Sequence, residues 1–443
     1  MDFSQLTQDK NIQLTGIIIG VIFIAGNLFE FIYSHYKNKN YYSFQSIIIN
    51  FSLALLQQLT DVFNKVIFFL GFYYVQQHYS IQQFLGWKSV QIDFPFTVSS
   101  HFPFLEINIY MLFVWLFILV VADFCQYWLH RLSHEVNILW AGHIVHHSME
   151  AYNYSVALRQ SFIESMYTWI FYLPLAFFGV PWQLFIMAYS ISLIWQFFVH
   201  TRLINRMGFL ENIFMTPSHH RVHHGRNPQY LDKNYGALFV FWDKLFDTFE
   251  PEMEAVDYGI TVPVQTQNPI WINVHQHLHI FKLFFLTNGF KNKFKVVFGR
   301  PDFVPTDGMG IFNRTKLLPS TAVEKLPILK NVYIFLNFLL SALSGFLLVN
   351  YYHETQNWLM FIPFALLVAF SFTVNIALLE NKKWADYAEV FRLFIFILVG
   401  IVLNKMSFHQ TIGITIAIAA GCLLLFTLLI ARSYQQGVTT SQK

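Results

Sequence analysis

Ten of the eighteen histidines fall between His130 and His224, and they are grouped rather than scattered. His130 and His134 stand four apart, His143, His146 and His147 follow, and His220, His223 and His224 close the series, with His200 and His219 as singletons. Residues three or four apart share a helix face, so each group is a chelating claw. Imidazoles crowded into an apolar chain cost solvation free energy unless something binds them. His219 breaks the spacing and reads as a neighbour. The other nine exceed the roughly six positions that one transition ion offers, so two ions sharing the set is the economical reading. Only Cys125 and Cys422 are present, both in apolar runs, which excludes a disulfide framework and a Cys-type zinc site. The ligands must therefore be nitrogen and oxygen, and the zinc-protease pattern His-Glu-x-x-His is absent. Such a set suits iron, zinc, copper or nickel. Iron is the preferred ion, because a histidine-built pair at a membrane surface fits dioxygen chemistry on a lipid held in a dry apolar channel.

Asp123, Tyr127, His130 and His134 lie at i, i+4, i+7 and i+11, a single helix stripe. A carboxylate buried there is costly unless paired, and metal-bound histidines commonly donate their second N–H to a carboxylate. Asp123 is expected to be that acceptor. Glu135 directly follows His134 and could ligate, accept a histidine N–H, or simply cap and solvate. His275, His277 and His279 alternate at period two, which suits a strand or an interfacial edge. Glu30, Asp61 and Lys65 are charges within apolar runs and functional candidates by that fact, although Asp61 and Lys65 could equally form a structural helix pair.

The elements that must position these residues are membrane helices. The chain has 443 residues, 55% of them hydrophobic and 12% charged, with a mean hydropathy of +0.44. A polytopic, all-α membrane bundle follows. About nine spans are expected, near 12 to 34, 46 to 75, 105 to 129, 158 to 178, 182 to 199, 331 to 350, 357 to 378, 388 to 404 and 410 to 431. The second is long for one straight crossing, so a break, a tilt or a re-entrant half is expected there. Gly179-Val180-Pro181 separates the fourth and fifth as a hairpin. The first, near Asn11 to Tyr33, reads as a retained span, because it lacks the basic leader and cleavage site of a signal peptide. Four regions result: N-terminal spans over 1–104, a catalytic region over 105–250, an interfacial segment over 251–330, and C-terminal spans with a short tail over 331–443.

Fifteen of the twenty-eight Lys and Arg lie in 201–330. The positive-inside bias places that stretch in the cytoplasm, which brings the histidine-rich cap to the cytoplasmic face with the N-terminus outside and the C-terminus inside. Asn-x-Ser/Thr at Asn153 and Asn313 then faces the wrong side for glycosylation. A net charge of +3, dispersed along the chain, argues against a nucleic-acid partner.

Three histidine boxes in this order resemble the fatty acid hydroxylase and sterol desaturase superfamily of membrane di-metal oxygenases. The flanking residues narrow the likeness to its alkylglycerol monooxygenase branch: His130 through Glu135 and Trp140 to His143, Ser155 through Arg159 and Gln160 to Ser161, Thr216 through His224 and Gly225 to Pro228, and Asp232 to Tyr235. That resemblance implies two iron ions, dioxygen as co-substrate and tetrahydrobiopterin as reductant. It also implies hydroxylation beside the ether oxygen of an alkylglycerol, giving a hemiacetal that falls to a fatty aldehyde and a glycerol derivative. The implied essential residues are His130, His134, His143, His146, His147, His220, His223 and His224, with Glu135 as acidic companion and His200 as helper. A sterol or fatty-acyl hydroxylase or desaturase fed by an electron-donor protein is the alternative. A metal transporter or sensor would need its ligands near the bilayer midplane, whereas these gather at the ends of spans.

Overall fold

The computed structural model describes residues 10–86, 96–98, 105–107, 109–305, 326–405, 414 and 416–425. Apart from a small antiparallel pair, Phe96–Val98 against Leu105–Ile107, the described residues form helices and turns. Six of the helices are long and apolar enough to cross a membrane. The chain is a multi-pass integral membrane protein.

It divides into two compact units. The first comprises 1–42, 60–263 and 273–318 and contains every histidine of the three boxes. Its core is apolar and aromatic: Trp115, Ile118, Leu119, Ala122, Cys125 and Leu129 of the Ile109–Glu135 helix pack with Tyr172, Leu175, Phe185 and Ala188. The Trp182–Val199 helix starts after the Gly179 turn, where φ is +78° and a side chain would be strained. Its bounds are those expected for the fifth span.

The expected fourth span is not a straight helix. Residues 154–172 run as short 3₁₀ turns, and only Leu173–Phe177 is α-helical. The reason lies in its polar side chains, which compete for the backbone. Ser161 Oγ accepts the Ile163 and Glu164 amides at 3.1 and 3.4 Å, and Thr168 Oγ1 donates to the Glu164 carbonyl at 2.8 Å. The expected break in the second span is not found either: Phe44–Tyr79 is one continuous helix of 36 residues. Asn64 near its middle is satisfied, donating to the Phe162 carbonyl at 3.1 Å and to Ser165 Oγ at 2.5 Å. The Lys65 side chain and Asn313 lie outside the described residues.

The strand expected around His275, His277 and His279 is instead part of the Pro269–Leu286 helix. Asn268 Oδ1 accepts the Ile270 and Trp271 amides at 3.0 Å each, and Pro269 opens the first turn, a strong helix start that outweighs alternation over three residues.

The second unit holds 43–59, 264–272 and 319–443. Ile328–Thr355 and Trp358–Leu379 form a helical hairpin, with Gln356 in the left-handed region at its corner. On the following Ala385–Lys405 helix Arg392 and Glu389 form a fully buried pair at 2.7 Å, satisfied further by the Tyr333 hydroxyl donating to Glu389 at 2.5 Å and by Asn337. A buried ion pair so enclosed fixes helix register more than it stabilises.

Candidate metal centre

Four short structural devices deliver the histidines. The Ile109–Glu135 helix carries His130 and His134 in its last turns, and Val136 in an extended conformation then turns the chain into the Asn137–His147 helix with His143, His146 and His147. His200 is the C-cap of Trp182–Val199. The Pro217–His223 helix opens with Pro217 behind a Thr216 cap, its amide donating to His219 Nδ1 at 3.4 Å, and presents His220 and His223, with His224 as C-cap. His219 thus serves the cap and stands outside the ligand groups.

All nine histidines are buried and converge as two groups. His130, His134, His143, His147 and His223 form one, and His146, His200, His220 and His224 the other, each with ligand atoms within 4.8 Å of one another. The groups adjoin: the His147 and His224 rings stack at 4.3 Å.

The outward nitrogens determine what the inward ones can do. Nδ1 of His130 lies 2.8 Å from the Tyr235 carbonyl, that of His146 3.2 Å from Arg159, that of His200 2.5 Å from Gln196, and that of His223 3.0 Å from Lys233. A carbonyl only accepts, so each Nδ1 carries the proton and each Nε2 turns a lone pair inward. Yet Nε2 of His146 and of His200 stand 3.0 Å apart. Two facing lone pairs at that distance repel unless a cation lies between them. Protonating the rings is no remedy, because burial foremost, with the neighbouring imidazoles adding to it, depresses them: His223 falls to about 3, and His146, His220 and His224 sit well below the usual range. His134 Nε2, His224 Nε2 and His220 Nδ1 are buried with no hydrogen-bond partner. Orphaned nitrogens and inward lone pairs are the donor set that a transition-metal ion takes up, and the residues of each group fit one.

Residues 115–248 match the fatty acid hydroxylase family model, a range that contains all nine histidines. That stretch is similar to the fatty acid hydroxylase family. The chain is 42% identical over 258 residues to the alkylglycerol monooxygenase of Homo sapiens, covering 58% of this chain and 53% of the relative. To that of Xenopus tropicalis it is 42% identical over 221 residues, 50% of this chain and 49% of the other. To that of Caenorhabditis elegans it is 34% identical over 337 residues, 69% and 65%. The chain thus spans about half the length of the two vertebrate relatives. No solved structure matches it.

Within the matched range the acidic residues are placed differently from the expectation. Asp123 is buried but touches no histidine: it accepts the Leu238 amide at 2.8 Å, the Phe239 amide at 3.2 Å and Trp242 Nε1 at 3.0 Å. It therefore holds the loop whose Tyr235 carbonyl anchors His130, and Asp243 supports the same loop through the Tyr235 and Gly236 amides at 2.7 Å each. Glu135 pairs with Arg131 at 3.0 Å, one helix turn back, and belongs to neither histidine group. The carboxylate that does meet a ring is Glu164, 3.1 Å from His143 Nδ1. Nothing in its spacing marked it, because its partner lies 21 residues earlier and the two meet only through the fold.

Glu164→Gln removes the charge that makes His143 a stronger donor. The expected result is a loss of metal affinity of about 10- to 100-fold with the chain still folded, read by metal content after graded chelation; unchanged retention would remove Glu164 from the centre. Asp123→Asn sets an amide against three donors, and each donor left unsatisfied costs about 1–3 kcal/mol. A drop in melting temperature accompanied by lower metal content at equal expression is expected, and an unaltered melt would show that Asp123 does not hold the loop.

Proposed function

We propose that this protein is a membrane di-iron monooxygenase that hydroxylates a lipid alkyl chain next to the ether oxygen of an alkylglycerol. Oxygen inserted at that carbon yields a hemiacetal, which collapses to a fatty aldehyde and glycerol or a glycerol derivative. The observation that carries the reading is the pair of histidine groups with inward lone pairs, in a chain 42% identical over 258 residues to an alkylglycerol monooxygenase. The first ion would be held from among His130, His134, His143, His147 and His223, and the second by His146, His200, His220 and His224. Iron would supply the activation of dioxygen.

The protein's own part is placement and dryness. The carbonyls of Tyr235, Arg159, Gln196 and Lys233 hold four rings in one tautomer, so their Nε2 lone pairs are aimed before any ion arrives. Burial of the whole set excludes water from the reacting face. Arg221 joins the His200 loop to the His220 helix by donating to the Thr201, Ile204 and Asn205 carbonyls at 3.2, 2.7 and 2.8 Å, its charge met by Glu252 at 2.6 Å. Tetrahydrobiopterin as reductant comes with the resemblance, and the positive-inside bias supports a cytoplasmic centre.

Membranes expressing the chain are expected to release aldehyde from an alkylglycerol when tetrahydrobiopterin is added and not without it. Iron-loaded, folded protein that releases none would overturn the ether-lipid assignment.

A further inference from the structure

Two helical stretches of the first unit, residues 273–286 of the Pro269–Leu286 helix and the Phe290–Phe298 helix, are built for a membrane surface rather than for its interior. Neither Pro269–Leu286 nor Phe290–Phe298 is among the six helices able to span. Both turn aromatic residues outward at helical spacing. Leu278, Phe281 and Phe285 form one exposed stripe and Phe290, Phe294 and Phe298 another, exposed by 85%, 54% and 52% in the second. Their opposite faces are already occupied: Ile280, Leu283 and Val296 are buried in a small core with Ala141. The outward stripes are thus not a core facing the wrong way; they are a second apolar face left exposed among the described residues.

The charged side chains within 278–299 have one sign. From 278 to 299 the sequence holds Lys282, Lys291, Lys293 and Lys295 and no Asp or Glu. No ion pair among the described residues engages these lysines. Lys293 lies over the Phe284 ring at 5.0 Å and Lys295 over Phe303 at 5.5 Å, so their stems run along aromatic surface while the ammonium groups reach its edge. Exposed phenylalanines flanked by uncompensated lysines match an interface with apolar tails beneath and anionic headgroups above.

We propose that this helical pair lies in the plane of the bilayer and docks on anionic phospholipid headgroups. The dock is wired to the metal centre. Asn137, at the start of the helix that carries His143, His146 and His147, donates from its side chain to the Val296 carbonyl at 2.8 Å and from its backbone to Gly299 at 2.9 Å. Its side-chain oxygen accepts from Gln276 at 3.0 Å. One buried asparagine thus clamps both surface helices to the ligand-bearing helix, and lipid charge at the surface bears on where three ligands sit.

The test uses the full chain in vesicles of phosphatidylcholine with and without phosphatidylserine. A spin label at Phe294→Cys, in a Cys422→Ser background since Cys125 is buried, is expected to meet oxygen more readily than a water-soluble nickel chelate when phosphatidylserine is present. A label at Met253→Cys, a position 74% exposed, supplies the aqueous reference. The combined variant Lys291→Gln, Lys293→Gln, Lys295→Gln is expected to lose its enrichment of phosphatidylserine over phosphatidylcholine among retained lipids, at about fivefold or less per lysine. A label at 294 that behaves like the one at 253, or that is shielded from both reagents as by a protein partner, overturns the proposal. So does a triple-glutamine variant that keeps the native lipid ratio.

Discussion

His147→Ala is expected to abolish turnover and to strip most of the bound metal while the chain still inserts in the membrane. Its Nε2 lies 3.2 Å from that of His143 and 3.1 Å from that of His223, and its ring stacks on His224 of the other group. Removing it takes a donor from the five-histidine group and a wall from the four-histidine group. Partners that merely orient a ligand already cost about 10- to 100-fold in affinity or activity, so the loss of the ligand itself exceeds that. His134→Ala and His224→Ala remove nitrogens that have no hydrogen-bond partner, and the same outcome is expected. Metal content and alkyl-chain oxidation measured on membrane fractions of equal protein level decide the matter: near-normal values in all three variants overturn the metal assignment. Chelation should also lower the melting temperature, since an ion that binds only the folded state adds about 4 kcal/mol of stability at a thousandfold its dissociation constant.

The way the boxes divide between the two groups has a helical logic. The i, i+4 pairs stay together: His130 with His134, His143 with His147, and His220 with His224. The odd member of each triple, His146 or His223, sits next in sequence to one of a pair, about 100° round the helix, and joins the other group. Spacing alone did not sort the boxes, because the i, i+3 pairs His143 with His146 and His220 with His223 also share a helix face. His200 was legible because it ends an apolar span beside the boxes. The anchors were not. Tyr235 meets His130 across 105 residues, and Lys233 meets His223 through a carbonyl, a group every residue has. Side-chain chemistry in the sequence cannot single out a backbone oxygen.

Acidic residues misled for a related reason. Asp123 shares a stripe with His130 and His134, and the stripe is real, but its carboxylate is consumed by two amides and an indole of the 238–242 loop. Glu135 is next to His134 in sequence, yet neighbours on a helix point apart, and its carboxylate turns to Arg131. Hydropathy likewise located most spans and failed at 158–178, where apolar composition is high but the side chains of Ser161, Ser165 and Thr168 bond the backbone locally.

Glu30 shows how far outside the matched range the centre reaches, and its removal carries the second large expected effect. It sits on the N-terminal Lys10–Tyr36 helix, beyond residues 115–248, and is fully buried. Its carboxylate accepts from the Thr201 hydroxyl at 2.5 Å, the Tyr154 amide at 2.7 Å and the Tyr42 hydroxyl at 2.6 Å. Thr201 follows His200 directly. Tyr154 opens the turn that leads to Arg159, whose carbonyl holds His146. These two histidines are the pair whose lone pairs face each other at 3.0 Å, so Glu30 acts on both walls of the four-histidine group and on none of the other five directly. Glu30→Ala leaves two buried donors unmet, the Thr201 hydroxyl and the Tyr154 amide, at about 1–3 kcal/mol each, and the His200 and Tyr154 segments are free to part. Bound metal should fall from two ions per chain toward one, with activity lost and the five-histidine ion retained. Glu30→Gln keeps one accepting oxygen and should recover part of the second ion. Because a general loss of folding would release both ions together, the metal-to-protein ratio separates a positioning role from simple destabilisation; two ions retained in Glu30→Ala would refute it.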